Sequence, residues 1–198
     1  MLNRVTAVLL LSLTLITSGC GASPMKTPDI KQNPNPKMRY EITITIDGAP
    51  GPFDSINGYV MYQVENDDCV PLQPGSGARL APEKSMPVTF TREVSGSNVF
   101  KGTLYTDLMQ DENYFGLGVC HWTVGGTGAN LNLGKIVFSS GMSFDDVQSQ
   151  KPLVTYFANS LFHNPKMEGG DTGTIRTAYV AQHPNEFFSV TLVTKKDF

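Results

Sequence analysis

Residues 40–47 alternate strictly between apolar and polar side chains. Tyr40, Ile42, Ile44 and Ile46 occupy every second position, and the positions between them are polar. An extended strand is the regular structure that places residues two apart on one face. The pattern therefore predicts a half-buried β-strand, with four apolar side chains against a core and a polar face towards water.

Further stretches rich in aromatic and β-branched residues follow, and turn-forming residues separate them. The chain has 19 glycines and 13 prolines among its 198 residues, which favours many turns and short strands. The predicted fold is all-β, an antiparallel β-sandwich of about eight strands with immunoglobulin-like or transthyretin-like architecture. The further strands are predicted at residues 56–65, 86–94, 99–106, 114–124, 129–138, 153–162, 174–182 and 187–195.

Four connections between these strands carry specific expectations. The glycine run 125–128 is predicted to be a turn, because it lacks the Gly-Lys-Ser/Thr ending of a phosphate-binding loop. Ser143, with Asp146 three residues later, is typical of a helix N-terminus. Residues 183–186 are predicted to turn a final hairpin, and residues 71–84 and 164–173 to form long loops.

An apolar run from Val5 to Ile16 follows Arg4 and ends in the small residues Thr17, Ser18 and Gly19, directly before Cys20. A basic start, a short apolar run and small residues are typical of a secretory signal peptide. The motif ending in Cys20 resembles the lipobox of bacterial lipoproteins, although Thr17 stands where that family usually has Leu, Val or Ile. The alternative is an ordinary signal peptide followed by a spare cysteine.

The lipobox resemblance implies that Cys20 is acylated and becomes the first residue of the mature protein. Gly21 in place of Asp then implies the outer membrane, with the folded part on the periplasmic face. The expected organisation is a lipoprotein signal peptide (1–19), a lipidated, proline-rich tether (20–37) and one β-sandwich domain (38–198). The lipid anchor makes the membrane one expected partner.

Without the acylated Cys20, two cysteines remain, Cys69 and Cys120. An even number of cysteines in an oxidising compartment favours a disulfide between them. They do not form a Cys-x-x-Cys motif, so a metal-binding or reactive pair is the weaker alternative.

The sequence shows no set of residues for catalysis, and we predict that the protein is not an enzyme. His121 follows Cys120 in a predicted strand, so the two side chains point to opposite faces and cannot form a catalytic pair. Three acidic pairs could ligate calcium in loops, but none has the spacing of a dedicated calcium site, and we expect no metal and no cofactor. A formal net charge of −3 without a basic stripe argues against a nucleic-acid partner. The acidic pairs are Asp67-Asp68, Asp111-Glu112 and Asp145-Asp146.

The segment Gly118-Val119-Cys120-His121-Trp122 resembles part of the immunity lipoproteins that accompany type VI secreted effectors. That resemblance implies a protein partner, a secreted antibacterial toxin that the long loops would block. A structural or assembly lipoprotein of an envelope or secretion complex is a second hypothesis. An enzyme or ligand carrier is a third, which a deep apolar pocket with convergent polar groups would favour.

Overall fold

The protein is a sandwich of two five-stranded β-sheets in a computed structural model that describes residues 28–162, 164 and 167–198. This confirms the predicted all-β sandwich. Eight strands have six residues or more, and two shorter strands lie at sheet edges. The predicted signal peptide, Cys20 and the first part of the predicted tether lie outside the described residues.

The element bounds follow the chain. The strands are β1 (Arg39–Asp47), β2 (Ser55–Val64), β3 (Glu83–Val88), β4 (Thr91–Arg92), β5 (Val99–Tyr105), β6 (Trp122–Leu133), β7 (Ile136–Ser143), β8 (Leu153–Ala158), β9 (Gly169–Asp171) and β10 (Phe187–Lys196). The helices are α1 (Phe144–Ser149), α2 (Asn159–Phe162) and α3 (Ala178–Gln182), with 3-10 turns at Asp67–Cys69 and Pro184–Glu186.

One sheet has the order β4-β5-β1-β10-β8 and the other the order β3-β2-β6-β7-β9. All of the paired strands are antiparallel except β7 and β9, which run parallel. Strand β1 lies in the middle of the first sheet. The period-two prediction is confirmed, because Tyr40, Ile42, Ile44 and Ile46 are all buried between the sheets. At the end of the sandwich where β7 begins, the core contains a cluster of phenylalanines around Phe138.

The prediction for residues 114–138 is wrong in its boundaries. A single strand, β6, runs through the glycine run, and the chain turns instead at Gly134, whose φ is +57°. Gly128 lies against β7, where an added Cβ would overlap the carbonyl oxygen of Ser140 and lie 2.8 Å from the Tyr59 hydroxyl. These glycines are therefore needed for close packing inside the sheet and not for a turn.

The N-terminal segment, residues 31–38, is bound to the sandwich, whereas the sequence predicted a tether up to residue 37. The Asn33 amide donates to the Leu108 carbonyl at 2.8 Å, and the Gln110 amide donates to the Lys31 carbonyl at 3.0 Å. The Asp107 carboxylate accepts hydrogen bonds from the amides of Lys37 and Met38, at 2.8 and 3.0 Å. This proline-rich stretch has no apolar periodicity, and it packs on the sandwich because its backbone groups are hydrogen-bonded to it.

Two predicted strands near the C-terminus differ from the structure. Strand β8 ends at Ala158, and the chain continues into the short helix α2. The second predicted strand, residues 174–182, contains the short helix α3, whose first turn is capped by the Thr177 hydroxyl accepting from the Val180 amide at 3.2 Å. The predicted final hairpin is therefore wrong, because β10 pairs with β1 and β8.

The N-cap prediction at Ser143 is confirmed. The Ser143 hydroxyl accepts from the Asp146 amide at 3.3 Å, and the Asp146 carboxylate accepts from the Ser143 amide at 3.1 Å. This reciprocal pair is a capping box and begins helix α1. Asp146 therefore helps to cap the N-terminus of helix α1.

We expect Tyr62→Phe to lower stability at neutral pH and to weaken the loss of stability at alkaline pH. Tyr62 is fully buried, and its hydroxyl donates to the Tyr105 carbonyl at 2.5 Å, so its removal costs about 1 kcal/mol. Burial raises the pKa of the Tyr62 phenol above its unfolded value. The stabilising effect is therefore complete below about pH 10 and is lost as the pH rises further.

Urea unfolding of both proteins at neutral and alkaline pH measures this effect. The wild type should lose more free energy of unfolding than Tyr62→Phe above about pH 10. Tyr105→Phe removes a phenol whose side chain is half-exposed and is the control. Equal alkaline losses in wild type and Tyr62→Phe would contradict the assignment.

Candidate functional site

One end of the sandwich is built around the Cys69–Cys120 disulfide, which the structure contains as predicted, with 5.3 Å between the Cα atoms. The bond joins two loops, residues 65–82 and 111–121, which we call the disulfide loops. They enclose a small core separate from the main one. Its buried members are Val64, Cys69, Val70 and Cys120, and Ala81, Tyr114, Phe115 and Trp122 pack against them.

Two polar side chains fix the second disulfide loop where it enters β6. The Asn66 side chain donates to the Val119 carbonyl at 2.8 Å and accepts from the His121 amide at 2.7 Å. The Asp111 carboxylate accepts from the Trp122 amide at 2.8 Å and lies 2.7 Å from Nδ1 of His121. His121 is exposed and hydrogen-bonded, and the neighbouring Cys120 is part of the disulfide. Cys120 and His121 therefore do not form a nucleophile–base pair.

Arg79, near the end of the first disulfide loop, is bound to residues at the start of that loop. Its guanidinium donates to the carbonyls of Asp67 and Asp68 at 3.3 and 3.2 Å, and also to the Val70 carbonyl. It further pairs with the Asp68 carboxylate at 3.3 Å. A planar guanidinium with several donors suits this role, since it satisfies several loop carbonyls at once.

The disulfide loops present exposed apolar side chains. Leu72 and Leu80 in the first loop are 56% and 66% exposed, and Leu117 and Val119 in the second are 54% and 44% exposed. Because both loops are held by the disulfide and by polar side chains, these residues cannot be buried by a simple loop collapse. Exposed apolar groups in a fixed arrangement are typical of protein interaction sites.

The same loops are strongly acidic. They contain five carboxylate residues and one arginine, a formal charge of −4 against −3 for the whole chain. Lys31 of the N-terminal segment pairs with Glu112 at 2.7 Å, and this contact raises the pKa of Lys31. The surface therefore favours a positively charged partner. The acidic members are Glu65, Asp67, Asp68, Asp111 and Glu112.

A cleft of about 540 Å³ opens beside the disulfide loops, at the same end of the sandwich. We call it the Trp122 cleft. The N-terminal segment contributes Asn33, Pro34 and Met38 to its walls, and the connection after β5 contributes residues 106–111 except Leu108. Trp122, Thr123 and Phe144 complete it. The sequence did not predict this cleft, because Asn33 and Pro34 were assigned to a tether and no local motif connects them with Trp122.

The opposite end of the sandwich has a cavity of about 410 Å³ lined by Phe90, Arg92 and Phe100 among others. The Arg92 guanidinium lies 4.6 Å from the centre of the Phe100 ring. Four buried side-chain polar atoms in the described part of the chain have no hydrogen-bond partner there, and none belongs to a residue lining this cavity. Two of the four belong to residues of the Trp122 cleft, but the atoms themselves are fully buried.

Within the described ranges, no group of three or more His, Cys, Asp or Glu side chains could hold a metal ion. None of the described helices has the length and apolar character needed to span a bilayer. Comparisons with protein-family models, curated proteins and solved structures found no match to this chain. The disulfide loops and the Trp122 cleft therefore have to be interpreted from their own chemistry.

Proposed function

We propose that this protein is a lipid-anchored protein of the outer membrane, facing the periplasm, that binds a protein partner through its disulfide loops. The observation that supports this most is the combination of four exposed apolar side chains with an acidic surface on loops fixed by the disulfide. The partner that fits is a protein with a basic surface around an apolar centre. An immunity role, in which the partner is a secreted antibacterial toxin, agrees with the resemblance around Trp122.

The docked N-terminal segment supports a role close to the membrane. Lys31, which is bound to Glu112, lies only 11 positions after Cys20. A fully extended chain covers at most about 3.6 Å per residue, so the disulfide end would lie within about 40 Å of an acylated Cys20. A toxin that acts on the bilayer or its surface would be intercepted at that distance.

The alternative is a structural or assembly lipoprotein of an envelope or secretion complex. The same acidic, apolar surface could bind a stationary component in place of a toxin. The two hypotheses differ in the consequence of losing the gene. Loss of an immunity protein makes cells sensitive to one effector, whereas loss of an assembly component reduces the amount of a complex.

The test uses a deletion strain challenged with the secreted effectors of its own species. We expect full-length wild-type protein to restore resistance, and Leu80→Asn/Leu117→Asn to fail, because two apolar contacts at an interface centre contribute about 100-fold in affinity together. Affinity of the purified domain for the effector should also decrease with rising salt.

Val94→Asn/Ile175→Asn is the matched control, since these side chains are 63% and 71% exposed and lie outside the disulfide loops. It should protect as well as the wild type. Cys20→Ala tests the anchor, and we expect it to protect poorly because the protein is no longer held at the membrane. A deletion strain that is no more sensitive than its parent would exclude the immunity role.

A further inference from the structure

The outer face of the second sheet is formed by alternate residues of its three central strands, β2, β6 and β7. In β2 and β7 these are the odd-numbered residues from 55 to 63 and from 137 to 143, and in β6 the even-numbered residues from 126 to 132. None of them is charged. They are asparagine, glutamine, serine and glycine, with one tyrosine, one methionine and one valine. We call this surface the neutral face.

The outer face of the first sheet has the opposite character. Lys101 on that face pairs with Glu41 at 3.5 Å and with Glu93 at 3.0 Å, and Lys195 lies opposite Glu41. Solvent-exposed protein surface usually carries a charge at about a quarter to a third of its residues. Because both faces belong to one sandwich, the absence of charge is a property of the neutral face and not of the chain as a whole.

The neutral face is also flat. The Tyr59 hydroxyl lies 2.8 Å from where a Cβ of Gly128 would be and 2.9 Å from where a Cβ of Gly141 would be. The Tyr59 side chain therefore lies across β6 towards β7, whereas side chains on a strand normally stand upright from the sheet. Gln63 lies over Gly125 in the same way, with Oε1 at 2.8 Å from the Cβ position. Glycines inside strands often mark a surface that another chain approaches closely.

The chemistry of the neutral face restricts what can cover it. A strongly charged partner finds no opposite charge there. A purely apolar partner would remove the side-chain amides of Asn57, Gln63 and Asn130 from water without replacing their hydrogen bonds. The matching surface must therefore be flat and uncharged, and it must carry donors and acceptors together.

We propose that the neutral face of one copy of this chain packs on the neutral face of a second copy. An amide side chain both donates and accepts, so a face rich in asparagine complements itself, and a two-fold dimer brings the same surface of both copies together. The chain has a formal net charge of −3, so two copies repel one another elsewhere and approach most easily at a face without charge. This contact lies outside the disulfide loops and does not rest on the proposed function.

The area of the neutral face is sufficient for a weak dimer. Each outward residue covers about 33 Å² of sheet, from a strand spacing of about 4.8 Å and a two-residue step of about 6.8 Å. With Ser85 and Pro87, which continue the face on β3, the face measures about 500 Å². Two copies together would bury about 1,000 Å², the size at which specific interfaces begin. We therefore expect a reversible dimer that dissociates on dilution.

Sedimentation velocity of the intact mature protein in detergent tests the proposal. We expect the protein mass to rise from one copy towards two between about 1 and 100 μM, the range of a micromolar dissociation constant. A protein that stays a single copy over this range would overturn the proposal.

Met61→Glu identifies the face that makes the contact. Met61 is 42% exposed on the neutral face, and the new carboxylate would bring like charges together in the dimer, so we expect dimerisation to weaken at least about tenfold. The melting temperature at low concentration should not change. Thr43→Glu is the matched control, because Thr43 lies opposite Lys101 in a central strand of the first sheet, with its side chain on the outer face. It should dimerise like the wild type. Equal dimerisation of Met61→Glu and wild type, or equal weakening by the two substitutions, would contradict the assignment.

Discussion

Replacing Cys69 and Cys120 together by alanine is expected to lower the free energy of unfolding by about 4 kcal/mol. The two residues are 51 positions apart, and a cross-link of that length removes a corresponding amount of chain entropy from the unfolded state. For a domain of this size, about 3 °C is expected per kcal/mol, so the melting temperature should fall by about 12 °C. Thermal unfolding followed by circular dichroism measures the change.

The reduced wild-type protein is the natural comparison, since it lacks the cross-link but keeps both side chains. Reductant should lower the wild-type melting temperature towards that of the double variant and leave the double variant unchanged. The double variant should also lose protection in the deletion strain at temperatures where it remains folded, because the disulfide loops are no longer joined. Equal melting temperatures for oxidised and reduced wild type would show that the bond contributes little.

The sequence correctly predicted those parts of the fold that depend on residues close together in the chain or on the number of cysteines. Strand β1 follows from the alternation of Tyr40 to Ile46, and helix α1 starts at the capping box of Ser143 and Asp146. The disulfide follows from the even number of cysteines remaining after Cys20. In each case the residues that carry the signal are close in sequence or few in number.

The parts that the sequence missed depend on contacts between distant residues. A glycine run usually indicates a turn, but Gly128 lies in a strand because Tyr59 and the backbone at Ser140 approach it closely. The Trp122 cleft combines Asn33, Asp107 and Trp122, which belong to three separate stretches. The Asp107 carboxylate is joined to the N-terminal segment through the backbone amides of Lys37 and Met38, which no residue pattern reveals.

The disulfide loops and the Trp122 cleft lie at the same end of the sandwich, and Asp111 belongs to both. Its carboxylate accepts from the Trp122 amide, lies 2.7 Å from Nδ1 of His121 and lines the cleft. A substitution of Asp111 would therefore disturb the second disulfide loop and the wall of the cleft together.

Phe138→Ala is the second substitution with a large expected effect, a destabilisation of about 4 kcal/mol. Phe138 is fully buried in β7, and its ring centre lies 5.3 Å from that of Phe188 and 5.5 Å from that of Phe157. Phe53 and Phe162 pack on it at 5.9 and 6.3 Å. Two of these four rings come from strands β8 and β10, one from the connection between β1 and β2 and one from helix α2. Truncation leaves a cavity that they cannot fill without leaving their own contacts.

Val137→Ala is the matched control, because Val137 is the preceding residue of the same strand and its side chain is half-exposed on the outer face. It should cost less than about 1 kcal/mol in urea unfolding. Since the cluster around Phe138 belongs to the opposite end of the sandwich from the disulfide loops, Phe138→Ala should keep protection in the deletion strain wherever it remains folded. A destabilisation as small as that of Val137→Ala would mean that the rings close the gap and that the core is less tightly packed than these distances indicate.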